Sequence, residues 1–150
     1  MGWHRDVGQE PRDLTEEAEL EFLLRPRTEC RWELALVDDD ALVLVPGSQR
    51  RYRTAREWEV MSDNKNESLP GERVIHLRAG QTIFWNGKMI HRSCHRPDSE
   101  RLTIIGGWGV YQEDAPKKEI GRFEWMLTDE VRAGLPESIH LYYDRWKAQF

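Results

Sequence analysis

Three residues of this 150-residue chain have the types and spacing to hold a metal ion. His4 and Asp6 are two apart, so on an extended strand both side chains leave one face and set an imidazole nitrogen beside a carboxylate oxygen. A histidine and a carboxylate from one strand, joined by a distant histidine, form the facial triad that binds non-haem Fe(II) and leaves positions open for substrate and oxygen. His91 is the candidate third ligand. It lies in Lys88-Met89-Ile90-His91-Arg92-Ser93, where Met89, His91 and Ser93 share one strand face while Ile90, Arg92 and Cys94 take the other. Ten residues after His91, Arg101 shares a face with Thr103, and a guanidinium is shaped to grip a carboxylate with two prongs. A buried Arg101 needs an anion, and no obvious one is offered by the protein. The competing reading is a surface salt bridge with Glu100 or a neighbouring acid.

A short His-x-Asp pair recurs by chance, so the elements that carry these residues decide its weight. The acids Asp13, Glu16 and Glu17, with Leu14, Ala18 and Phe22 at intervals of four, predict a helix from about Thr15 to Leu24, closed before Pro26. Arg31–Val37 and Ala41–Val45 read as two strands around the acidic turn Asp38-Asp39-Asp40. Thr54-Ala55-Arg56-Glu57 has the spacing of a capping box and predicts a short helix, followed by a loop through Ser62–Ser68 and Pro70-Gly71. Gln81–Trp85 and Lys88–Ser93, joined by Asn86-Gly87, predict a β-hairpin with a type I′ turn. Val74–Leu77 precedes it as a strand and Arg101–Ile105 follows as another, so the middle of the chain reads as antiparallel β. At the end, Pro136 opens a helix whose Ile139, Tyr142, Tyr143, Trp146 and Phe150 form an apolar core stripe.

Other candidates have plainer alternatives. His91, Cys94 and His95 are near in sequence, but Cys94 points away from His91 on a strand, so a zinc site is the weaker reading. His76 and His140 read as packed or surface histidines. Arg50, Arg51 and Arg53 follow the Pro46-Gly47-Ser48 turn, either as a substrate rim that attracts a carboxylate or phosphate or as a solvated basic run. Composition removes several classes. With 22 basic against 27 acidic residues, the net charge of −5 gives no positive field for nucleic acid. No apolar run reaches the roughly 18 residues of a membrane span. Two isolated cysteines are too few for a disulfide framework, which leaves a cytoplasmic protein as the expectation.

Trp3-His4-Arg5-Asp6, Asp39–Ser48, Ala79–Trp85, His91-Arg92-Ser93 and Arg101 occur in an order that resembles the phytanoyl-CoA dioxygenase family, from residue 3 to about 108. The resemblance implies a mainly β fold: a double-stranded β-helix, cupin-like and jelly-roll in form, with flanking helices and a C-terminal amphipathic extension over about 114–150. All of this is expected within a single domain, 1–150. It implies Fe(II) on His4, Asp6 and His91, and 2-oxoglutarate held by Arg101 with help from the Ser93 hydroxyl. It further implies oxidative decarboxylation to succinate and CO2 coupled to hydroxylation of a small organic substrate by O2. Halogenating relatives lack the carboxylate ligand, and Asp6 is present. Family members carry a substantial region before the His-x-Asp strand, whereas three residues precede His4 here. The expectation is therefore a barrel incomplete at its N-terminal side and marginal alone, as a fragment or in a homo-oligomer. The alternative function is a catalytically silent jelly-roll module for binding or assembly, and a third reading is a cupin-like metalloprotein without 2-oxoglutarate.

Overall fold

The computed structural model describes residues 2–6, 15–26, 29–62, 66–94, 96–111, 113–114 and 116–150. The chain divides into two compact units, Met1–Gly109 and Val110–Phe150. The first holds two three-stranded antiparallel sheets. One has the order β4 (Thr82–Trp85), β1 (Glu29–Ala35), β6 (Thr103–Gly109), and the other β3 (Arg73–Val74), β2 (Leu42–Leu44), β5 (His91–Ser93). Helices α1 (Glu16–Leu24) and α2 (Ala55–Ser62) and a 3₁₀ turn at Ser48–Arg50 accompany them. No described helix is long and apolar enough to cross a membrane.

Local chemistry explains the helices. The Thr15 hydroxyl accepts from Ala18 N, three acids fill the first turn of α1, and the helix stops before Pro26 as expected. The capping box at α2 is complete: Thr54 Oγ1 accepts from Glu57 N at 3.1 Å and Glu57 Oε2 accepts from Thr54 N at 2.8 Å. Glu57 is also gripped by both arms of Arg51, each at 2.6 Å.

The strands depart from the expected pairings. Gln81–Trp85 and Lys88–Ser93 do not form a hairpin: β4 pairs with β1 and β5 pairs with β2, so Asn86-Gly87 carries the chain from one sheet to the other. Among the described residues only Gly47, Gly71, Gly80 and Gly121 have positive φ, which excludes a type I′ turn at Asn86-Gly87. The turn is instead tied by Asn86, whose side-chain oxygen accepts from Lys88 N and whose carbonyl accepts from Met89 N. β1 and β2 likewise belong to different sheets. The acid between them, Asp39, bridges Leu77 through the backbone and caps Ala41 N at 2.6 Å. β6 begins at Thr103, so Arg101 precedes the strand.

β2 is buried on both faces, which its unbroken Leu-Val-Leu sequence permits. Val43 joins Trp3, Val45, Val60, Met61, Leu69 and Ile90 in one core cluster, while Leu42 and Leu44 join Trp85 in a second, flanked by Ile75, Ile83 and Met89. A buried ionic cluster ties the N-terminal segment to this core. Arg5, 4% exposed, donates to the carbonyls of Ser48 and Lys88 and lies 3.4 Å from Glu19, which also holds Arg53 at 2.6 Å.

In the second unit, Thr128 caps α3 (Asp129–Gly134), and a 3₁₀ turn at Glu137–Ile139 leads into α4 (His140–Lys147). The helix expected to start at Pro136 thus opens with a tighter turn. Trp146 packs against Phe123, Tyr143 and Phe150, but Tyr142 of the expected stripe is 52% exposed.

The Glu57 carboxyl is buried, which alone would raise its pKa, but the bonds from Arg51 and Thr54 outweigh burial and lower it. A depressed acid stabilises the fold above its unfolded pKa, near 4.3, and loses that contribution as pH falls through the lower folded value. Glu57→Gln keeps the cap's shape and removes the charge. It is expected to cost about 1 kcal/mol at pH 7, and thermal melts of the two proteins should converge only as pH falls below the depressed folded value.

Candidate metal centre

His4 and His91 exchange backbone hydrogen bonds across an isolated antiparallel bridge, N–H to O at 2.9 and 3.0 Å. The bridge adds the N-terminal segment to the edge of β5 and stacks the two imidazoles, with ring centroids 4.3 Å apart. Each ring is oriented by the carbonyl two residues before it: His4 Nδ1 donates to Gly2 O at 2.7 Å and His91 Nδ1 to Met89 O at 2.8 Å. A carbonyl can only accept, so Nδ1 carries a proton on both rings, and in the neutral imidazole each Nε2 presents a lone pair. Those two Nε2 atoms each lie 3.6 Å from Asp6 Oδ1. One ligand atom from each residue falls within 4.8 Å of the others. The spacing is somewhat wider than the roughly 3 Å between adjacent ligands on a metal held at about 2.1 Å, and two nitrogens and one oxygen are the donor set that non-haem iron takes.

The three groups titrate differently because their surroundings differ. The His4 pKa is raised by its hydrogen bond to Asp6, against the effect of burial. His91, with its side chain only 7% exposed, is lowered by burial despite the Met89 carbonyl. Burial pushes the Asp6 carboxyl up, but His4, His91 and Arg31 together hold it below the usual range.

Two contributors were not anticipated from sequence. Arg31, on β1, places Nε 3.0 Å from Asp6 Oδ2. Gly87 accepts the Asp6 N–H at 2.7 Å, and a Cβ there would sit 2.9 Å from Asp6 Cβ. Gly87 therefore serves close approach, where its sequence neighbourhood suggested only a turn. The alternation of Arg31 and Glu33 with Trp32 and Leu34 was the available signal for Arg31, but such a pattern ordinarily marks a solvated strand face.

The remaining candidates fall elsewhere. Ser93 follows His91 by two on β5 and is half-buried. Arg101 has protein anions after all: Nη2 donates to Glu33 at 2.9 Å and Nε to Asp39 at 2.8 Å. It lines a cavity of about 450 Å³ with Asp38, Asp40, His76 and Arg96, to which His4, Asp6 and His91 do not contribute. Glu33 is 2% exposed, and burial raises its pKa in spite of Arg101. Of the basic run, Arg50 is exposed, Arg51 grips Glu57, and Arg53 is buried against Glu19 and the Trp58 ring. Arg53 is thus a core residue, removed from any rim. Cys94 is exposed and outside the triad, and His95 lies outside the described residues. His140 bonds the Leu135 carbonyl.

The phytanoyl-CoA dioxygenase family profile matches residues 2–98, well over half of the chain, and the chain belongs to that family. The matched range contains His4, Asp6, His91 and Ser93 and stops short of Arg101. No curated protein and no solved structure matches the chain.

Since a Cβ at residue 87 would force apart the backbone turn and Asp6, Gly87→Ala is expected to weaken Co(II) or Fe(II) binding by about tenfold or more, as loss of supporting contacts does at metal sites. Calorimetric titration of the variant beside the parent checks this, with a melt to establish that both are folded.

Proposed function

We propose that this chain is an Fe(II)- and 2-oxoglutarate-dependent dioxygenase that hydroxylates a small organic substrate with release of succinate and CO2. The observation that carries the reading is the convergence of His4 Nε2, His91 Nε2 and Asp6 Oδ1 in a member of this family. The two antiparallel sheets, between which the chain crosses at every step except β2 to β3, are then the halves of a double-stranded β-helix.

Iron would be held by those three atoms, and with 2-oxoglutarate it would supply the oxidising chemistry. The protein's part is positional. The Gly2 and Met89 carbonyls fix both imidazoles in the ligating tautomer, and Arg5, pointing opposite to its neighbours His4 and Asp6, anchors their strand in the core. β1 relates the triad to Arg101: Arg31 reaches Asp6 and Glu33 reaches Arg101 from positions two apart on one strand face, about 7 Å along the strand. A five-carbon diacid chelating at one point and anchored at the other spans that order of distance. In this reading its distal carboxylate takes the Arg101 arm now held by Glu33, since Asp39 is also committed to the Ala41 cap, and Ser93 assists.

The engaged fork of Arg101 also favours a second reading, a catalytically silent module that binds metal without 2-oxoglutarate. Anaerobic titration of Fe(II) and 2-oxoglutarate separates the two. The dioxygenase reading expects the weak visible charge-transfer band of a common complex, lost in His91→Ala and shifted to at least about tenfold higher 2-oxoglutarate concentration in Arg101→Ala, the cost of one charge-assisted clamp. Iron binding with no band at saturating 2-oxoglutarate would support the silent module.

A further inference from the structure

Asp6 has two oxygens, and the structure gives them different neighbours. Oδ1 faces both imidazoles at 3.6 Å, while Oδ2 lies 3.0 Å from Arg31 Nε, a buried nitrogen. We propose that Arg31 is a positioning residue that restricts Asp6 to ligation through Oδ1 alone and so keeps one further metal position open. The inference rests on the triad reading above and goes beyond it, because the triad fixes which residues bind and says nothing of how many oxygens Asp6 contributes.

A carboxylate beside a divalent ion can bind through one oxygen or two. If Asp6 used both, it would occupy a fourth of six positions, leaving two where cosubstrate chelation and oxygen together need three. An electrostatic hold on Oδ2 prevents this, and the fold makes room for that hold at Gly87. On β6, Arg31 is opposite Gly107, where a Cβ would meet Arg31 Nη1 at 3.5 Å, an ordinary contact distance. At the sheet-to-sheet turn, a Cβ on Gly87 would lie 3.2 Å from Asp6 Oδ2 and 3.5 Å from Arg31 Cγ. Both glycines thus border the Arg31–Asp6 pair, and on its other side β1 is held by β4 with Arg31 opposite Trp85, whose ring packs edge-on against His91. The guanidinium is delivered from the sheet that does not carry the ligands.

Metal affinity alone does not test this role. Removing a cation beside the ion favours binding, while freeing Asp6 opposes it, so the two effects offset one another. The coordination number does test it. Co(II) reports that number through its visible d–d bands, and the experiment records them for the parent chain, Arg31→Met and Arg31→Lys, then titrates 2-oxoglutarate into each. Arg31 is half-buried on a strand paired on both sides, so the variants are expected to melt within a few degrees of the parent. Arg31→Met is expected to bind Co(II) with altered bands and to take 2-oxoglutarate about tenfold or more less tightly, and Arg31→Lys to restore the parent bands and most of the affinity. Parent-like bands in Arg31→Met overturn the proposal and leave the triad standing, even if 2-oxoglutarate binds weakly, because that loss would come from charge acting on the cosubstrate directly. A parent chain that fails to bind Co(II) overturns the triad and the role of Arg31 together.

Discussion

The candidate centre depends on the pair of backbone hydrogen bonds by which His4 and His91 face one another. These residues are 87 positions apart in the chain, and this bridge makes their rings neighbours. Two such bonds contribute about 1 kcal/mol each, too little to order an extended segment whose residues each lose about 1–2 kcal/mol of backbone entropy. Burial supplies the difference. Trp3 is 1% exposed in the core, with Nε1 donating to the Glu67 carbonyl and the Arg92 guanidinium 4.6 Å from its ring. An indole of that size contributes roughly 4 kcal/mol or more by area. Trp3 and Arg5 point inward on one side and His4 and Asp6 outward on the other, so the period of two that exposes the candidate ligands also anchors them.

Charge organises the same region. Arg5 and Arg53 share buried Glu19, and Arg101 shares Glu33 and Asp39, so both clusters gather charges where water is scarce. Such clusters are weak sources of stability but costly to break, because removing one partner strands the others. They fix register instead. The Arg5 cluster sets how far the His-x-Asp segment slides along β5, and the Arg101 cluster ties β1 to the start of β6.

What could be read from sequence was local. Thr15 with Pro26 bounds α1, Thr54 with Glu57 caps α2, and the alternation about His91 puts Ile90 in the core and leaves His91 on the opposite face, because neighbours within four residues decide those outcomes. The candidate triad was legible for the same reason at His4 and Asp6, and at His91 through its strand face together with the family resemblance. Strand partners were not legible. Asn86-Gly87 carries the short-range signature of a hairpin, yet Trp85 has a better partner in Arg31 of β1 and His91 in Leu44 of β2, both more than 40 residues distant. The anions of Arg101 escaped notice because Glu33 and Asp39 are 68 and 62 residues away.

This misread turn is also what brings the candidate site together. Had Gly87 closed a hairpin, β4 and β5 would lie in one sheet, and Trp85 and His91 would present themselves along a common surface. Because the chain crosses at Gly87, Arg31 and Trp85 arrive from one sheet and His91 from the other, while Asp6 docks on the crossing itself through the Gly87 carbonyl. Groups that converge from two sheets are held by the packing between them, and close-packed interiors resist the small displacements that metal ligands do not tolerate. At the glycine that read as a turn former, the crossing backbone approaches Asp6 more closely than a Cβ would allow.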